Sequence, residues 1–129
     1  MEYYFQTHHS FTEKTVIQTG LQLVEKLQAI HERGYLYNDL KPDNIVVGDF
    51  DGQKLGEIRL IDFGISKKYL DEHGNHIQKS NESIFRGNMI FSSINAFNFE
   101  TLSRRDDLIS LCYLLVFILD GDLPFIFRP

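Results

Sequence analysis

Cysteine is almost absent from this sequence, which has a single one, Cys112, among 129 residues. An internal disulfide is therefore excluded, and the cysteine content favours a reducing, intracellular setting, cytoplasmic, nuclear or both. Because Cys112 lies within an apolar run, we expect a buried, unreactive thiol rather than a nucleophile.

Basic residues are also scarce. Lys and Arg number 13 against 18 Asp and Glu, a formal net charge of −5. The adjacent basic pairs are Lys67-Lys68 and Arg104-Arg105, with no longer basic run. Nucleic-acid-binding modules usually carry a basic stripe, so we expect no nucleic-acid partner. The residues after Met1 lack a basic start followed by an apolar stretch, so we expect no secretory signal.

Long hydrophobic runs are missing too. The longest extends from Leu108 to Leu119, interrupted by Ser110, and its 12 residues are too few to cross a bilayer. We therefore expect no membrane partner and predict a buried core helix here. Asp106 or Asp107 should cap this helix, and Asp120-Gly121 should end it.

The chain does contain enough apolar material for one packed domain, with 43% hydrophobic and 24% charged residues. Ser10 to Glu13 fits the S-x-x-E capping box, so we predict that Ser10 caps a helix that ends near Gly34. Apolar positions recur in this helix at steps of three and four residues, which indicates one buried face. They are Val16, Ile17, Gly20, Leu21, Val24, Leu27, Ile30 and His31.

Two short β-branched segments, at 45–47 and 58–61, are separated by turn-forming glycines. This pattern predicts a β-hairpin. Residues 65–105 are polar, rich in Asn and Ser and without clear periodicity, and they predict a long irregular loop. Loops of that length inside a compact domain are usually functional or disordered.

Polar residues able to bind a metal or transfer a proton flank the predicted hairpin. Asp39 and Asn44 lie on one loop before its first strand, and Asp62 follows its second strand. Because a hairpin returns the chain to its start, Asp62 should lie close to Asn44. A carboxylate and an amide oxygen suit Mg²⁺. Asp39 is then free to orient an attacking hydroxyl, and Lys41 can hold a phosphoryl oxygen. Each residue alone also fits a turn or capping role, so the prediction depends on the whole set.

The segment from Tyr37 to Asn44, YNDLKPDN, resembles the catalytic loop of eukaryotic protein kinases, and Asp62-Phe63-Gly64 is similar to their metal-binding triplet. Four further segments resemble the casein kinase 1 branch of that family. They are Lys67-Lys68-Tyr69, Ser93-Ile94-Asn95, Ser103 to Leu108, and Leu123-Pro124-Phe125. The resemblance extends from about Phe11 to Phe125.

This resemblance implies that residues 1–129 form part of the C-terminal, large lobe of a kinase, with no N-terminal lobe. The expected fold class is α+β, mainly α, with helices and a short β-hairpin that carries the catalytic loop and the triplet. It also implies a serine/threonine kinase that uses ATP and Mg²⁺.

The resemblance assigns roles position by position. Asp39 matches the catalytic aspartate, and Lys41 matches the catalytic lysine that contacts the transferred phosphate. Lys41, Asn44 and Asp62 would bind the nucleotide, with Asn44 and Asp62 as magnesium ligands. Asp107 matches a buried aspartate that hydrogen-bonds the catalytic-loop backbone.

Three departures from the family pattern qualify these roles. Tyr37-Asn38 replaces His-Arg, so we expect no control by a phosphate on the activation loop. Asn88 replaces Thr and should weaken a hydrogen bond between loops. Ile90 replaces Arg, which removes a cation from the pocket that reads a phosphate already present on the substrate. Preference for such substrates is therefore not expected.

Two hypotheses follow from these residues. The first is an active kinase present as a partial large lobe, whose partners are ATP, a protein substrate, and the missing N-lobe or remaining C-lobe segments. The second is an inactive fragment or pseudokinase that binds proteins. No glycine-rich phosphate loop precedes Phe11, which should impair nucleotide positioning severely. Apolar residues at 123–127 should need a partner surface.

Overall fold

The computed structural model describes residue 1 and residues 10–48, 56–81 and 84–126. Its helices and strands, in chain order, are α1 (Glu13–His31), β1 (Tyr35–Leu36), β2 (Ile45–Gly48), β3 (Glu57–Leu60), β4 (Lys67–Lys68), α2 (Ile94–Phe97) and α3 (Arg104–Asp120). A 3₁₀ turn at Pro42–Asn44 precedes β2. Helices predominate over short antiparallel strand pairs, which confirms the expected α+β fold class.

Helix α1 begins two residues later than the capping-box pattern predicts. Its N-cap is Thr12, whose hydroxyl oxygen accepts a hydrogen bond from the Thr15 backbone N–H at 3.3 Å. The prediction of Ser10 as the cap is therefore wrong. The C-terminal end is close to the predicted place, since the helix ends at His31 and Gly34 adopts a left-handed φ of 81°.

The buried face of α1 is also rotated from the predicted one. Ile17, Leu21 and Val24 are exposed by 62%, 64% and 46%, so their assignment to the core is wrong. Leu23, which the pattern did not include, is fully buried. The contact with α3 sets this orientation. Gly20 lies against Leu115, where a Cβ at position 20 would approach Leu115 Cδ1 to 3.1 Å.

The hairpin of β2 and β3 has the predicted strands and pairs Ile45 with Leu60 and Gly48 with Glu57. Gln22 of α1 holds it from the side, because its amide nitrogen donates to the Gly56 carbonyl and its amide oxygen accepts from the Ile58 N–H. The hairpin is thereby fixed to helix α1, which precedes the segment 37–44 in the chain.

Helix α3 begins with a capping box in which Ser103 is the N-cap and Asp106 is the third helical residue. The Asp106 carboxylate accepts a hydrogen bond from the Ser103 N–H at 2.7 Å. Neither Asp106 nor Asp107 is thus the N-cap itself, contrary to the prediction. Gly121 ends the helix in a left-handed conformation, as predicted.

One face of α3, with Leu111, Leu114 and Ile118, is buried, while the opposite face is open. Cys112 lies on the open face and is exposed, so the prediction of a buried thiol is wrong. Leu108 and Val116 are exposed by 44% and 39%. The apolar run is therefore a half-buried helix rather than a fully buried one.

Residues 65–105 are largely irregular, as predicted, with the short β4 and α2 as additions. Near the other end, Leu123 is buried whereas Phe125 is 55% exposed and packs edge-to-face on Tyr113. Of these two residues, Phe125 therefore still exposes apolar surface that a partner could cover, whereas Leu123 is already covered by the chain itself. Phe127, at the end of the apolar segment 123–127, and residues 2–9 lie outside the described residues.

The buried core joins both long helices, the hairpin and the segment after β1. Its members are Val16, Leu23, Leu27, Tyr37, Leu40, Ile45, Ile58, Phe91, Leu111, Leu114, Ile118 and Leu123. Across the described residues, no helix is both long and apolar enough to cross a membrane.

Candidate active site

The segment between β1 and β2 brings three of the predicted site residues into direct contact. Asp39 is buried, and its Oδ2 accepts hydrogen bonds from Lys41 Nζ at 3.0 Å and from Asn44 Nδ2 at 2.8 Å. Asn44 Nδ2 also donates to the Asp39 carbonyl at 2.9 Å. These bonds fix the carboxylate rotamer, and the other carboxylate oxygen, Oδ1, remains available to a further donor.

The 3₁₀ turn holds Asn44 in this position. Pro42 fits the start of the turn because its ring fixes φ and no backbone N–H is needed there. The Asn44 N–H donates back to the Lys41 carbonyl at 3.1 Å. Because both amide hydrogen bonds of Asn44 run from its nitrogen to Asp39, its amide oxygen is the atom left for a cation.

Asp62 follows β3 and reaches the same region through the hairpin. The Ile61 N–H donates to the Asn44 carbonyl at 3.0 Å, which joins the chain just before Asp62 to Asn44. Asp62 is exposed and has a left-handed φ of 59°. Its Oδ1 accepts a hydrogen bond from the Gly64 N–H at 3.1 Å. The predicted proximity of the two segments is therefore present in the backbone.

Tyr37 lies beneath these residues and is fully buried. Its hydroxyl donates to the Ile61 carbonyl at 2.5 Å, and its ring meets that of Phe63 edge-on, with the centroids 5.3 Å apart. Burial, and next the charge of Asp39, raise the pKa of Tyr37, so the phenol stays protonated and acts as a donor. The sequence indicated a packing role for this residue but gave no sign of the hydroxyl contact.

Asp107, at the start of α3, holds the catalytic-loop backbone as the resemblance implied. Its carboxylate accepts hydrogen bonds from the N–H groups of Tyr37 at 2.9 Å and Asn38 at 2.8 Å. His31 Nε2 lies 2.7 Å from the same carboxylate, a contact that the apolar pattern of α1 did not reveal. Asn38 has a left-handed φ of 66°, which asparagine tolerates better than most residues. One buried carboxylate thus joins α1, α3 and the loop.

Asn88 links the long irregular segment to the catalytic loop. Its Nδ2 donates to the Leu40 carbonyl at 3.2 Å, while its Oδ1 accepts from the N–H groups of Ile90 and Phe91. We expected Asn88 to weaken a hydrogen bond between loops. In the structure the Asn88 side chain makes such a bond itself, to the Leu40 carbonyl.

Asp106 anchors the end of the same irregular segment, a role that sequence reasoning missed. Its Oδ1 accepts hydrogen bonds from Ser93 Oγ at 2.6 Å and Asn95 Nδ2 at 2.8 Å. Adjacent aspartates at the start of α3 therefore hold two different loops, Asp106 the 93–95 segment and Asp107 the catalytic loop.

Asn44 and Asp62 provide hard oxygen donors that fit Mg²⁺. Among the described residues, no group of three or more His, Cys, Asp or Glu side chains could hold a metal. A magnesium ion at this place would therefore need further oxygens, which phosphate groups and water commonly supply. The donor set fits a metal bound together with a nucleotide rather than a closed all-protein site.

Comparison with known proteins agrees with this geometry. The protein kinase domain family model matches residues 1–127. A probable serine/threonine-protein kinase of Dictyostelium discoideum is 36% identical over 120 residues, which are 92% of this chain and 24% of that protein. Casein kinase I homolog 2 of Schizosaccharomyces pombe is 36% identical over 115 residues, 88% of this chain and 26% of that protein.

The chain therefore spans about a quarter of the length of these curated relatives. The family consists of phosphotransferases that generally use ATP and Mg²⁺. Since the family match covers nearly all of the sequence and includes the loop around Asp39 and the triplet that starts at Asp62, the chain belongs to the protein kinase family.

Proposed function

We propose that this chain is part of the large lobe of a casein kinase 1-type serine/threonine protein kinase. The whole enzyme transfers the γ-phosphoryl group of MgATP to Ser and Thr hydroxyls of proteins. The observation that carries the proposal is the hydrogen-bonded set of Asp39, Lys41 and Asn44 beside the strand end that presents Asp62. The similarity to a casein kinase I homolog supports the type, and an intracellular location is part of the proposal.

Asp39 is the group that orients the acceptor. Its carboxylate hydrogen-bonds the substrate hydroxyl and takes the hydroxyl proton as the oxygen bonds to the γ-phosphorus. The bond between that phosphorus and the oxygen of the ADP leaving group breaks in the same displacement. Burial of Asp39 and its two fixed hydrogen bonds keep the carboxylate in one orientation for this step.

Lys41 can neutralise negative charge on both Asp39 and the transferred phosphoryl group. Its ammonium group has three donors, of which one is used on Asp39, so another can reach a phosphoryl oxygen. The side chain is 30% exposed, which leaves it accessible to a nucleotide. When bound, magnesium would neutralise phosphate charge, and the oxygens of Asn44 and Asp62 would hold it.

A second candidate function is that of an inactive protein-binding module. The exposed apolar row of Ile17, Leu21 and Val24 on α1, with Leu108 of α3, favours it, because such rows commonly mark contact surfaces.

Transfer of label separates the two candidates. The natural polypeptide that contains this chain is incubated with γ-labelled ATP, Mg²⁺ and a mixture of dephosphorylated proteins. The kinase proposal expects labelled phosphoserine and phosphothreonine that disappear with EDTA. Absence of label under conditions where a relative such as the fission yeast kinase is active would favour the binding module.

A further inference from the structure

The turn at residues 88–91 lies against the loop that carries Asp39. Asn88 Nδ2 donates to the carbonyl of Leu40, the residue after Asp39, at 3.2 Å. Just before the turn, a Cβ at Gly87 would lie 3.6 Å from a backbone oxygen of the catalytic loop. Gly87 also has a φ of 138°, which favours glycine. The turn therefore has a fixed place beside the group proposed to orient the acceptor hydroxyl.

The ends of this turn are anchored, whereas its two middle side chains project into solvent. Asn88 Oδ1 accepts hydrogen bonds from the N–H groups of Ile90 at 3.2 Å and Phe91 at 2.6 Å. Phe91 is buried, and its ring meets that of Phe117 edge-on, with the centroids 5.3 Å apart. Met89 and Ile90 are exposed by 73% and 45%. The turn thus presents two adjacent apolar side chains next to the catalytic loop.

The location of these side chains gives their exposure a use. Exposed apolar side chains add little to the stability of a fold, because that stabilisation requires the removal of apolar surface from water. A protein whose hydroxyl reaches Asp39 must lay the residues next to that hydroxyl over the surface around Asp39. The turn is part of this surface, so a bound substrate would cover Met89 and Ile90.

The turn offers no charge to a substrate. None of residues 88–91 is ionisable. Arg86 is the nearest cation along the chain, but its side chain lines cavities with Ala96 and Leu102 of the irregular segment. An acidic or phosphorylated residue placed against Met89 would lose water without gaining a partner, which is unfavourable. The surface of the turn therefore suits apolar residues better than anionic ones.

We propose that Met89 and Ile90 form an apolar substrate contact, which selects Ser and Thr hydroxyls flanked by a large aliphatic or aromatic residue over those flanked by acidic or phosphorylated residues. This inference rests on the proposed function, since it names the substrate class that the site around Asp39 accepts. Methionine is flexible and adapts to partners of different shape, so we expect selection for apolar character rather than for one residue type.

Transfer to matched peptides measures this selection. The natural polypeptide that contains this chain is given MgATP and synthetic peptides with one serine, which differ in the residue that flanks it on either side. This residue is Leu, Phe, Asn, Glu or phosphoserine. We expect kcat/KM for the best Leu or Phe peptide to exceed that of the corresponding Asn peptide by about five- to tenfold, as partial burial of one such side chain produces. The Glu and phosphoserine peptides should be no better than the Asn peptide.

Variants of the turn test whether these two side chains make the contact. Met89→Gln and Ile90→Gln remove apolar surface at similar length, and each should lower the preference for Leu over Asn by about threefold. Ile84→Gln is the matched control, because Ile84 is 63% exposed on the same irregular segment but lies outside the turn, and the preference should persist in it. Ile90→Arg adds a cation and should raise kcat/KM for the Glu and phosphoserine peptides, a change that a merely structural role would not produce.

The outcomes separate this inference from the proposed function. Equal kcat/KM for all flanking residues, or a Leu preference that both Gln variants keep, overturns the apolar contact and leaves the kinase function standing. Transfer to none of the peptides contradicts the kinase function. In that case, the contact is tested by fluorescence anisotropy of the same peptides without ATP. Tighter binding of the Leu peptide that is lost in Met89→Gln supports the contact, and equal binding of the Leu and Asn peptides overturns it.

Discussion

Replacing Asp107 with Asn is expected to lower the free energy of unfolding markedly, although the two side chains are nearly equal in size. The carboxylate is 1% exposed and accepts hydrogen bonds from two loop N–H groups, those of Tyr37 and Asn38, while His31 Nε2 lies against it. An Asn side chain has one acceptor oxygen. Whichever way the amide is turned, its NH₂ group faces one of the two backbone N–H groups.

The magnitude follows from these contacts. One charge-assisted hydrogen bond is lost, worth about 1.5–3 kcal/mol, and one buried N–H is left without an acceptor, at a similar cost of about 1–3 kcal/mol. We therefore expect Asp107→Asn to lower the free energy of unfolding by about 3–5 kcal/mol, a large part of the stability of a typical domain.

Urea unfolding followed by circular dichroism measures this loss. Asp120→Asn is the matched control, because it makes the same change at the exposed C-terminal end of the same helix and should alter stability by no more than about 0.5 kcal/mol. A loss below about 1 kcal/mol for Asp107→Asn would refute the reasoning that this carboxylate holds the loop.

Three further outcomes are expected. Gly20→Val should lower the free energy of unfolding in urea by about 1–3 kcal/mol, because its added methyl groups must displace Leu115 from the α1–α3 contact. Gly20→Ala adds a single methyl group and should stay within about 1 kcal/mol of wild type. The raised pKa of Tyr37 stabilises the folded chain fully below the ordinary tyrosine pKa of about 10 and progressively less as the pH rises beyond it, so the stability difference between wild type and Tyr37→Phe should shrink above pH 10. A stability difference between the two chains that stays constant from about pH 8 to about pH 11 would contradict this. Calorimetry should detect no magnesium-dependent ATP binding to the 129-residue chain alone, and tight binding that is lost in Asp62→Ala would show that the nucleotide clamp needs no further lobe.

Much of the site could be predicted from the sequence because it is local. Asp39, Lys41 and Asn44 lie within six residues of one another, so a single turn brings them together. Asp62 could be placed beside them because β-branched segments separated by glycines form a hairpin. The roles of these four residues in catalysis and metal binding stay predictions, whereas the contacts of Asp107 with the loop are confirmed.

The side on which each helix is buried was harder to predict. Apolar residues lie almost all the way around α3, so periodicity could not indicate that Cys112 faces outward. On α1 the same ambiguity placed Ile17 and Leu21 in the core, although the close approach of Gly20 to Leu115 turns them away from it. Tertiary contacts decide which apolar face is covered, and a single sequence carries little information about them.

Long-range polar contacts could not be predicted from the sequence either. The His31 contact with Asp107 joins positions 76 residues apart, and no spacing rule connects them. The hydrogen bond from Tyr37 to the Ile61 carbonyl depends on a backbone atom, which every residue has, so the sequence contains no signal for it. Such contacts become visible once the hairpin and the helices are assembled.

The central claim is that Asp39 orients the acceptor hydroxyl in a phosphoryl transfer, and one comparison of rates tests it most directly. In the natural polypeptide that contains this chain, kcat for transfer from MgATP to protein is measured for wild type, Asp39→Asn and Asp43→Asn. Asp43 lies on the same loop but is exposed, so its variant controls for the loss of a negative charge. We expect kcat to fall by about 10²- to 10⁴-fold in Asp39→Asn and to stay near wild type in Asp43→Asn. Transfer that proceeds at the wild-type rate in Asp39→Asn would contradict the account.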